Sequence, residues 1–319
     1  MTAVAEPRPQ RLQPPSRGRR RRLSRTQRRE NVLGYLWISP WLIGFLAFTL
    51  GPMVASFAYS FTKYRIIKAA TWIGTHNYVY ALTQDDLFWS SLGRTFYYVA
   101  ISVPLGLLGS LLLAMLLNQR VRGEAIFRTL FYLPSLTPTA AAAIIWILLL
   151  HYRLGLVNHI LSLAGIQGPP WLGSQRWAIP SIILIALWSG MGGGRMIIFL
   201  AGLQGVPVEF YEAAEIDGAG WWHKFRSITV PMISPTIFFN LVLGIIAALQ
   251  VFDIAYITTG GGPGRASWFF GLHIFSHAFE YFDMGYACTL SWLMFVIVLG
   301  FTLIQMRMSD RWVFYAGSV

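Results

Sequence analysis

The chain has 319 residues, of which 55% are hydrophobic and 12% are charged, and its mean hydropathy is +0.53. This composition excludes a soluble globular domain and is typical of a protein that crosses the membrane several times. The net charge of +12 is uneven, because residues 1–32 hold ten arginines and two acids directly before an apolar run. We predict that residues 1–32 form a disordered basic tail anchored at the cytoplasmic membrane face, with no nucleic-acid partner.

Six stretches are long and apolar enough to cross about 30 Å of hydrocarbon as helices. The first is too long for a signal-peptide core and lacks a small-residue cleavage site, so we expect it to be retained. Prolines at 40, 52, 104, 134 and 138 predict kinks or starts of helices. The six predicted spans are 33–61, 95–117, 131–150, 179–203, 233–257 and 285–306. Together they predict an all-α integral membrane domain over residues 33–310.

The distribution of basic residues predicts the orientation of these spans. With the N-terminus inside, the inner segments hold 17 Lys and Arg residues and the outer segments hold 7. Because basic residues favour the cytoplasmic side, both termini are expected there, including the short tail 311–319. The same assignment places the segment 207–231 in the cytoplasm. The outer segment 62–94 is rich in Trp and Tyr, which indicates interfacial aromatics or an ordered external cap.

Motifs for catalysis and for metal or phosphate binding are absent from the sequence. It contains no GxxxxGK[ST] loop, no GxGxxG after a strand and no Ser/His/Asp pattern. His273 and His277 are four residues apart but do not form an HExxH motif, and the single cysteine, Cys288, excludes disulfides. Four clustered glycines at 190 and 192–194 indicate close helix approach or a hinge. We therefore predict no catalytic residues, no metal site and no bound cofactor.

The segment 207–231, PVEFYEAAEIDGAGWWHKFRSITVP, is the longest polar interval in the second half of the chain. Pro207 suits the first position of a helix, and Glu209 then complements the helix dipole in the first turn. Asp217 and Gly218 predict the end of this helix, because glycine readily adopts the left-handed conformation. A second short helix is expected over 219–228. Two short helices joined at a glycine form a compact surface on which a partner could dock.

Two stretches carry a resemblance to a known family. EAAEIDGAGWWHKFRSITVP resembles the EAA loop of ABC-importer permeases, and FDIAYITTGGGPG at 252–264 is similar to the FDxxYxxTxGGP segment of the first permease partner in the carbohydrate-uptake branch, the maltose and glycerol-3-phosphate type. The EAA pattern is matched at Glu212, Ala213, Ala214, Gly218, Ile228 and Pro231. We therefore refer to 207–231 as the coupling loop.

The resemblance implies a type I ABC importer permease fold with six transmembrane helices in a bacterial cell membrane. It also implies four kinds of partner: a second homologous permease, two cytoplasmic subunits that hydrolyse ATP, an extracytoplasmic solute-binding protein and the lipid bilayer. The coupling loop would insert into a groove on an ATP-hydrolysing subunit through small, acidic and aromatic side chains. The residues expected to make this contact are Glu212, Ala213, Ala214, Glu215, Asp217, Gly218, Ala219 and Phe225.

Residues that contact the cargo are predicted around the outer end of the fifth span. An acid within a membrane span is a functional candidate, and Asp253 could accept sugar hydroxyls while Phe252 or Tyr256 stacks on a sugar face. Gln250 precedes Asp253 by three residues and is expected on nearly the same helix face. Trp188 is a further aromatic that either faces the pathway or packs against a neighbour. Asp253 itself could instead pair within the bundle or reach outward.

Arg195 is a departure from the family, which more often has a neutral residue at this position. Burying an unpaired arginine at mid-span costs about 2.5–3.5 kcal/mol, so we expect its side chain to reach toward the cytoplasmic interface. Because it is the single cation within a predicted span, a neutral sugar is favoured as cargo. The alternatives are glycerol-3-phosphate or another polyol derivative, and an ion-coupled secondary transporter, which would be expected to bury more ionisable groups and to show internal repeats.

Overall fold

The computed structural model describes residues 25–119 and 123–314. The rest of both predicted tails lies outside the described residues. The chain divides at Ala55 into two compact units, which we describe separately.

Helix α1, Arg25–Phe45, begins eight residues before the predicted first span, so the prediction of disorder is wrong for residues 25–32. A π-helical turn, Leu46–Leu50, follows it, and α2, Gly51–Ser60, completes a 36-residue apolar helical stretch. The Gly51 amide donates to the carbonyl of Leu46, five residues back. This wide turn precedes Pro52, which has no N–H to donate.

An ordered cap follows α2. It consists of an antiparallel hairpin, β1 (Thr62–Arg65) and β2 (Lys68–Trp72), and of helix α3 (His76–Thr83). Asn77 fastens the cap, because its side-chain amide donates to the carbonyls of Ser60 and Thr62, each at 3.0 Å. The aromatic segment 62–94 is therefore a folded element, and the hairpin adds a small sheet to an otherwise helical protein.

The remaining helices build the bundle and its connections. In chain order they are α4 (Asp86–Asn118), α5 (Glu124–Leu136), α6 (Thr139–Leu149), α7 (Leu156–Leu163), α8 (Ala178–Gly190), α9 (Gly194–Gln204), α10 (Val208–Ile216), α11 (Trp221–Lys224), α12 (Val230–Met232), α13 (Ser234–Leu249), α14 (Asp253–Thr259), α15 (Phe270–Phe275) and α16 (Met284–Ser309). Two further π-helical turns, Phe225–Thr229 and Ser276–Glu280, precede α12 and follow α15.

Helix α4 is the central element of the second unit. Its 33 residues extend about 50 Å, and each of three buried clusters includes side chains from it. The buried face of α4 carries a stripe of small residues that lets neighbouring helices approach closely. These residues are Ser91, Thr95, Ser102, Gly106, Ser110 and Ala114. Helices α8, α9, α13 and α15 pack around α4.

Three long helical stretches and three bent helix pairs overlap the six predicted spans, although the last pair begins at Trp221 within the coupling loop. The bends measure 96° between α5 and α6, 52° between α8 and α9, and 66° between α11–α12 and α13. The third predicted span, 131–150, is therefore not one straight helix. Pro138 at the N-cap of α6 explains the break, because a residue preceding proline is disfavoured in a helix.

The four clustered glycines occupy the break between α8 and α9 and serve different purposes. A Cβ on Gly192 would overlap the backbone carbonyl of Phe131 in α5, and one on Gly193 would approach Ser135 Cβ to 2.8 Å. Gly190 and Gly194 have open space around them. The close helix approach predicted for the cluster therefore belongs to the two central glycines.

The fifth predicted span, 233–257, is also interrupted. Helix α13 ends at Leu249, and α14 begins at Asp253 after three non-helical residues. Phe252 has φ −147° and ψ −65°, which no helix continues through. The prediction that Gln250 and Asp253 share one helix face is therefore wrong, because no helix joins them.

Candidate functional site

The coupling loop contains two short helices that meet at a left-handed glycine. Pro207 is the N-cap of α10, so the helix begins at Val208, one residue later than predicted. Gly218 has φ +76°. The Ala219 amide donates to the Ala214 carbonyl at 2.8 Å, and the Gly218 amide donates to the Glu215 carbonyl at 3.0 Å. This pair of hydrogen bonds is the Schellman motif. The motif requires a left-handed residue at position 218, which explains the spacing between the EAA residues and the glycine.

Two side-chain contacts hold the halves of the coupling loop together. Lys224 Nζ donates to Glu215 Oε1 at 2.6 Å, so the end of α10 is tied to the end of α11. The hydroxyls of Tyr211 and Thr229 are 3.0 Å apart and link α10 to the π-helical turn. Glu215 is thus occupied within the loop, whereas Glu212 is exposed and makes no hydrogen bond or ion pair with any described residue.

The surface of the coupling loop is unusually apolar for a solvent-exposed segment. Ile216 is 88% exposed, and Trp221 and Trp222 are 63% and 62% exposed. Trp221 stacks on Phe225 with ring centroids 5.6 Å apart, which orders the aromatic surface. Of the predicted contact residues, some are exposed and others are half-buried behind them. The exposed ones are Glu212, Ala213, Glu215, Asp217 and Gly218, and the half-buried ones are Ala214, Ala219 and Phe225. Exposed aromatic surface of this kind is typical of sites that contact other proteins or the membrane interface.

A cavity of about 270 Å³ lies where α13 breaks before α14. It brings together three of the five predicted cargo residues, Gln250, Phe252 and Asp253. Hydroxyl groups of α6, its preceding turn and α8 complete the polar lining, from Thr139, Thr137 and Ser189. The cavity thus offers a carboxylate, an amide, hydroxyls and an aromatic ring, which are the groups that bind sugar hydroxyls and sugar faces.

The other predicted cargo residues have different surroundings. Tyr256 stacks on Phe252 with ring centroids 5.4 Å apart and supports that ring from the side of α14. Trp188 packs edge-on against Trp146 at 5.7 Å, the neighbour-packing alternative. Asp253 is exposed and forms no ion pair within the described residues, so the alternative of pairing within the bundle is not observed.

Arg195 is directed into the bundle, and the expectation that it reaches the interface is wrong. It lines a second cavity of about 140 Å³ beside Tyr98, Ser102 and Gly106. A Cβ on Gly106 would lie 2.5 Å from Arg195 Nη1, and one on Gly244 would lie 3.4 Å from Nη2. The glycines of α4 and α13 therefore provide the space for the guanidinium.

A cluster of polar side chains at the start of α4 was not predicted from the sequence. The Asp85 carboxylate caps α4 through the Leu87 amide at 2.9 Å, accepts from the Tyr286 hydroxyl at 2.6 Å and contacts His273 Nε2 at 2.8 Å. Because Asp85 is 188 residues from His273, no local motif reveals this contact. The cluster ties together α4, α15 and α16.

The electrostatics of this cluster keep both histidines neutral near pH 7. Burial lowers the pKa of His273, although Asp85 opposes the shift, and burial lowers the pKa of His277 to about 4. Burial alone would raise the pKa of Asp85, but hydrogen bonds from Tyr286 and His273 bring it below its ordinary value. Asp85, His273 and His277 each place one potential metal ligand within 4.8 Å of the others. In the structure, hydrogen bonds already occupy the Asp85 carboxylate.

Comparison with known proteins assigns the family. Residues 106–312 match the model of the binding-protein-dependent transport system inner membrane component family. The chain belongs to this family, so it is a multi-pass membrane protein and a transport permease of the ABC-importer type.

Individual relatives extend over nearly the whole chain. A probable ABC transporter permease protein, YesP of Bacillus subtilis, is 43% identical over 92% of this chain and 95% of its own length. The trehalose/maltose transport system permease protein MalF of Thermococcus litoralis is 36% identical over 89% of this chain and 96% of its own length. A chain of a bacterial alginate ABC transporter, solved with an alginate pentasaccharide-bound periplasmic protein, superposes with a TM-score of 0.79 at 25% identity and covers 89% of this chain and 96% of that one.

Proposed function

We propose that this chain is the membrane-spanning subunit of an ATP-driven importer that translocates a sugar or oligosaccharide delivered by an external solute-binding protein. Relatives named for trehalose/maltose, arabinooligosaccharide and lactose transport support a saccharide cargo. The observation that carries the proposal is the coupling loop, whose Schellman motif presents an ordered acidic and aromatic surface. Membership of a binding-protein-dependent family argues against the gradient-driven alternative.

In this proposal the chain is not an enzyme and binds no cofactor. Two separate cytoplasmic subunits bind and hydrolyse ATP, and each pair of coupling loop and ATPase moves as one body. A second, homologous permease completes the membrane assembly and the cargo pathway. The excess of basic residues in the inner segments supports cytoplasmic termini and a cytoplasmic coupling loop.

The proposed pathway passes the cavity at the break between α13 and α14. Asp253 accepts hydrogen bonds from sugar hydroxyls, Gln250 donates and accepts beside it, and Phe252 packs on the apolar face of the sugar ring. Tyr256 positions Phe252 through the ring stack. The break in the helix matters, because non-helical backbone at membrane depth is tolerated where it lines a cavity.

Docking is tested by exchanging a charge on the coupling loop. Glu212→Lys should abolish copurification of the ATPase subunits with the tagged permease, because Glu212 is exposed and has no described partner within the chain. Glu280→Lys, an identical charge exchange at an exposed residue outside the loop, is the control. Normal copurification and uptake by the Glu212 variant would reject the coupling assignment.

The pathway is tested by Asp253→Asn, which keeps the shape of the side chain and removes its charge. We expect saccharide uptake to weaken while the assembled complex is recovered in normal amount. Asp310→Asn, an exposed acid just after α16, is the matched control. Equal uptake by wild type and the Asp253 variant would mean that the carboxylate does not contact the cargo.

A further inference from the structure

Arg195 is a half-buried cation that has no anionic partner in the described part of the chain. No hydrogen bond or ion pair reaches its guanidinium from any described residue. Its position is doubly unfavourable, because it is the second residue of α9 and the positive end of a helix dipole disfavours a cation. The surrounding residues nevertheless provide space for it, since Gly106 and Gly244 leave room on α4 and α13. A cation held this way is available to an anion that enters the cavity.

The hydroxyl of Ser102 is a second polar group of this cavity, beside the guanidinium. Along the buried stripe of α4, the hydroxyls of Ser91, Thr95 and Ser110 each donate to a backbone carbonyl three or four residues earlier. Ser102 is only 8% exposed, and its hydroxyl does not bond to a backbone carbonyl; its one neighbouring partner among the described residues is the Tyr98 hydroxyl, which lines the same cavity. The Ser102 hydroxyl is therefore not committed to the helix backbone and lines the cavity that contains Arg195.

This cavity is adjacent to the proposed sugar site. The two cavities share Ala186 and Ala247 as lining residues. A saccharide whose hydroxyls contact Asp253 and Gln250 could thus direct a substituent toward Arg195. The cavity of about 140 Å³ has room beside Arg195 for a charged substituent of the sugar.

From this arrangement we propose that the cargo is an acidic saccharide and that Arg195, with Ser102, binds its carboxylate. This inference rests on the proposed function and names the cargo class. A guanidinium binds a carboxylate through two parallel hydrogen bonds, and Ser102 donates a third. Carboxylate is favoured over phosphate because a phosphate monoester carries nearly two charges at neutral pH, and Arg195 is the single cation among the residues lining either cavity. The neutral sugar favoured by sequence reasoning leaves Arg195 without an anionic partner.

The test uses the complete transporter in proteoliposomes with its cognate solute-binding protein. Uptake is measured for disaccharides of glucuronate, galacturonate and mannuronate, for their neutral hexose counterparts and for hexose phosphates. We expect wild type to import a uronate in preference to its neutral counterpart. Arg195→Met should reduce uptake of that uronate about ten- to a hundred-fold by raising the half-saturating concentration, and Arg195→Lys should restore part of it. Ser102→Ala should weaken uronate uptake less.

The controls separate this inference from the proposed function. Arg128→Met removes an exposed cation outside both cavities and should leave uptake unchanged. The binding protein is the same in every arm, so a change in selectivity belongs to the permease. Preferential uptake of neutral sugars or hexose phosphates by wild type, or an unchanged uronate preference in Arg195→Met, would overturn the inference while leaving saccharide import intact. Failure to import any saccharide would reject the proposed function itself and the inference with it.

Discussion

The conformation of Gly218 gives the sharpest prediction about the coupling loop. Gly218 has φ +76°, and a Cβ built on it would meet nothing within 4 Å. The substitution Gly218→Ser therefore adds no steric overlap, and its whole cost is that of a left-handed L residue, about 1–2 kcal/mol. A change of that size lowers the ratio of the correctly folded loop to its other conformations about 5- to 30-fold.

The same substitution two residues away provides a matched control. Gly220 also has open space around it, but its φ of −69° is ordinary for an L residue. It is the N-cap of α11, where serine is favoured, so Gly220→Ser should be neutral or slightly stabilising. Gly218→Asn should lie between the two, because asparagine adopts the left-handed conformation more readily than serine.

The assay is the affinity of the purified ATPase subunit for the detergent-solubilised permease, with ATPase stimulation as a second readout. We expect Gly218→Ser to weaken both, by at most the factor given above, and Gly220→Ser to weaken neither. Equal losses at the two positions would show that any side chain on this surface blocks docking. That result would refute the conformational argument and assign the effect to steric exclusion.

Three further predictions concern stability, measured as thermal unfolding of the solubilised protein. Gly192→Ala should destabilise the bundle by about 1–3 kcal/mol because its Cβ overlaps the backbone of α5, whereas Gly190→Ala should be nearly neutral. Tyr286→Phe should cost about 1.5–3 kcal/mol by removing a hydrogen bond to the Asp85 carboxylate. Stability should fall as pH decreases from 6.5 to about 4, because in this range His277 takes up a proton in the unfolded state and stays neutral in the folded state. The substitution His277→Gln should reduce this dependence of stability on pH. A steeper dependence of stability on pH in the His277 variant would contradict the assignment of this dependence to His277.

Local patterns in the sequence predicted the first helix of the coupling loop well, whereas the second helix, expected over 219–228, is only Trp221–Lys224 and continues as a π-helical turn. The Pro207 start, the Gly218 stop and the charges between them act over a few residues, so they determine local conformation without help from the rest of the fold. The six predicted hydrophobic runs likewise fit the three long helices and three bent helix pairs of the described chain. The prolines at 134 and 138 predicted the bend between α5 and α6, whereas no proline or glycine marks the interruption at Phe252.

Contacts between distant residues could not be read from the chain. The Asp85–His273 contact joins residues 188 positions apart, and neither residue lies in a recognisable motif. Arg195 was assigned to the interface because a lone arginine in a span usually reaches water. The space left by Gly106 and Gly244 reverses that outcome, and it exists only once α4, α9 and α13 are packed.

Helix α9 has a mechanical consequence. It extends from Gly194 to Gln204, about 16 Å, and carries Arg195 at one end and the entry to the coupling loop three residues beyond the other. A helix this short is stiff, so its two ends move together. If an ATPase displaces the coupling loop at Pro207, as proposed above, α9 would transmit that displacement to Arg195 and change its contact with the cargo. By reciprocity, cargo held at Arg195 would bias the position of the loop that the ATPase engages.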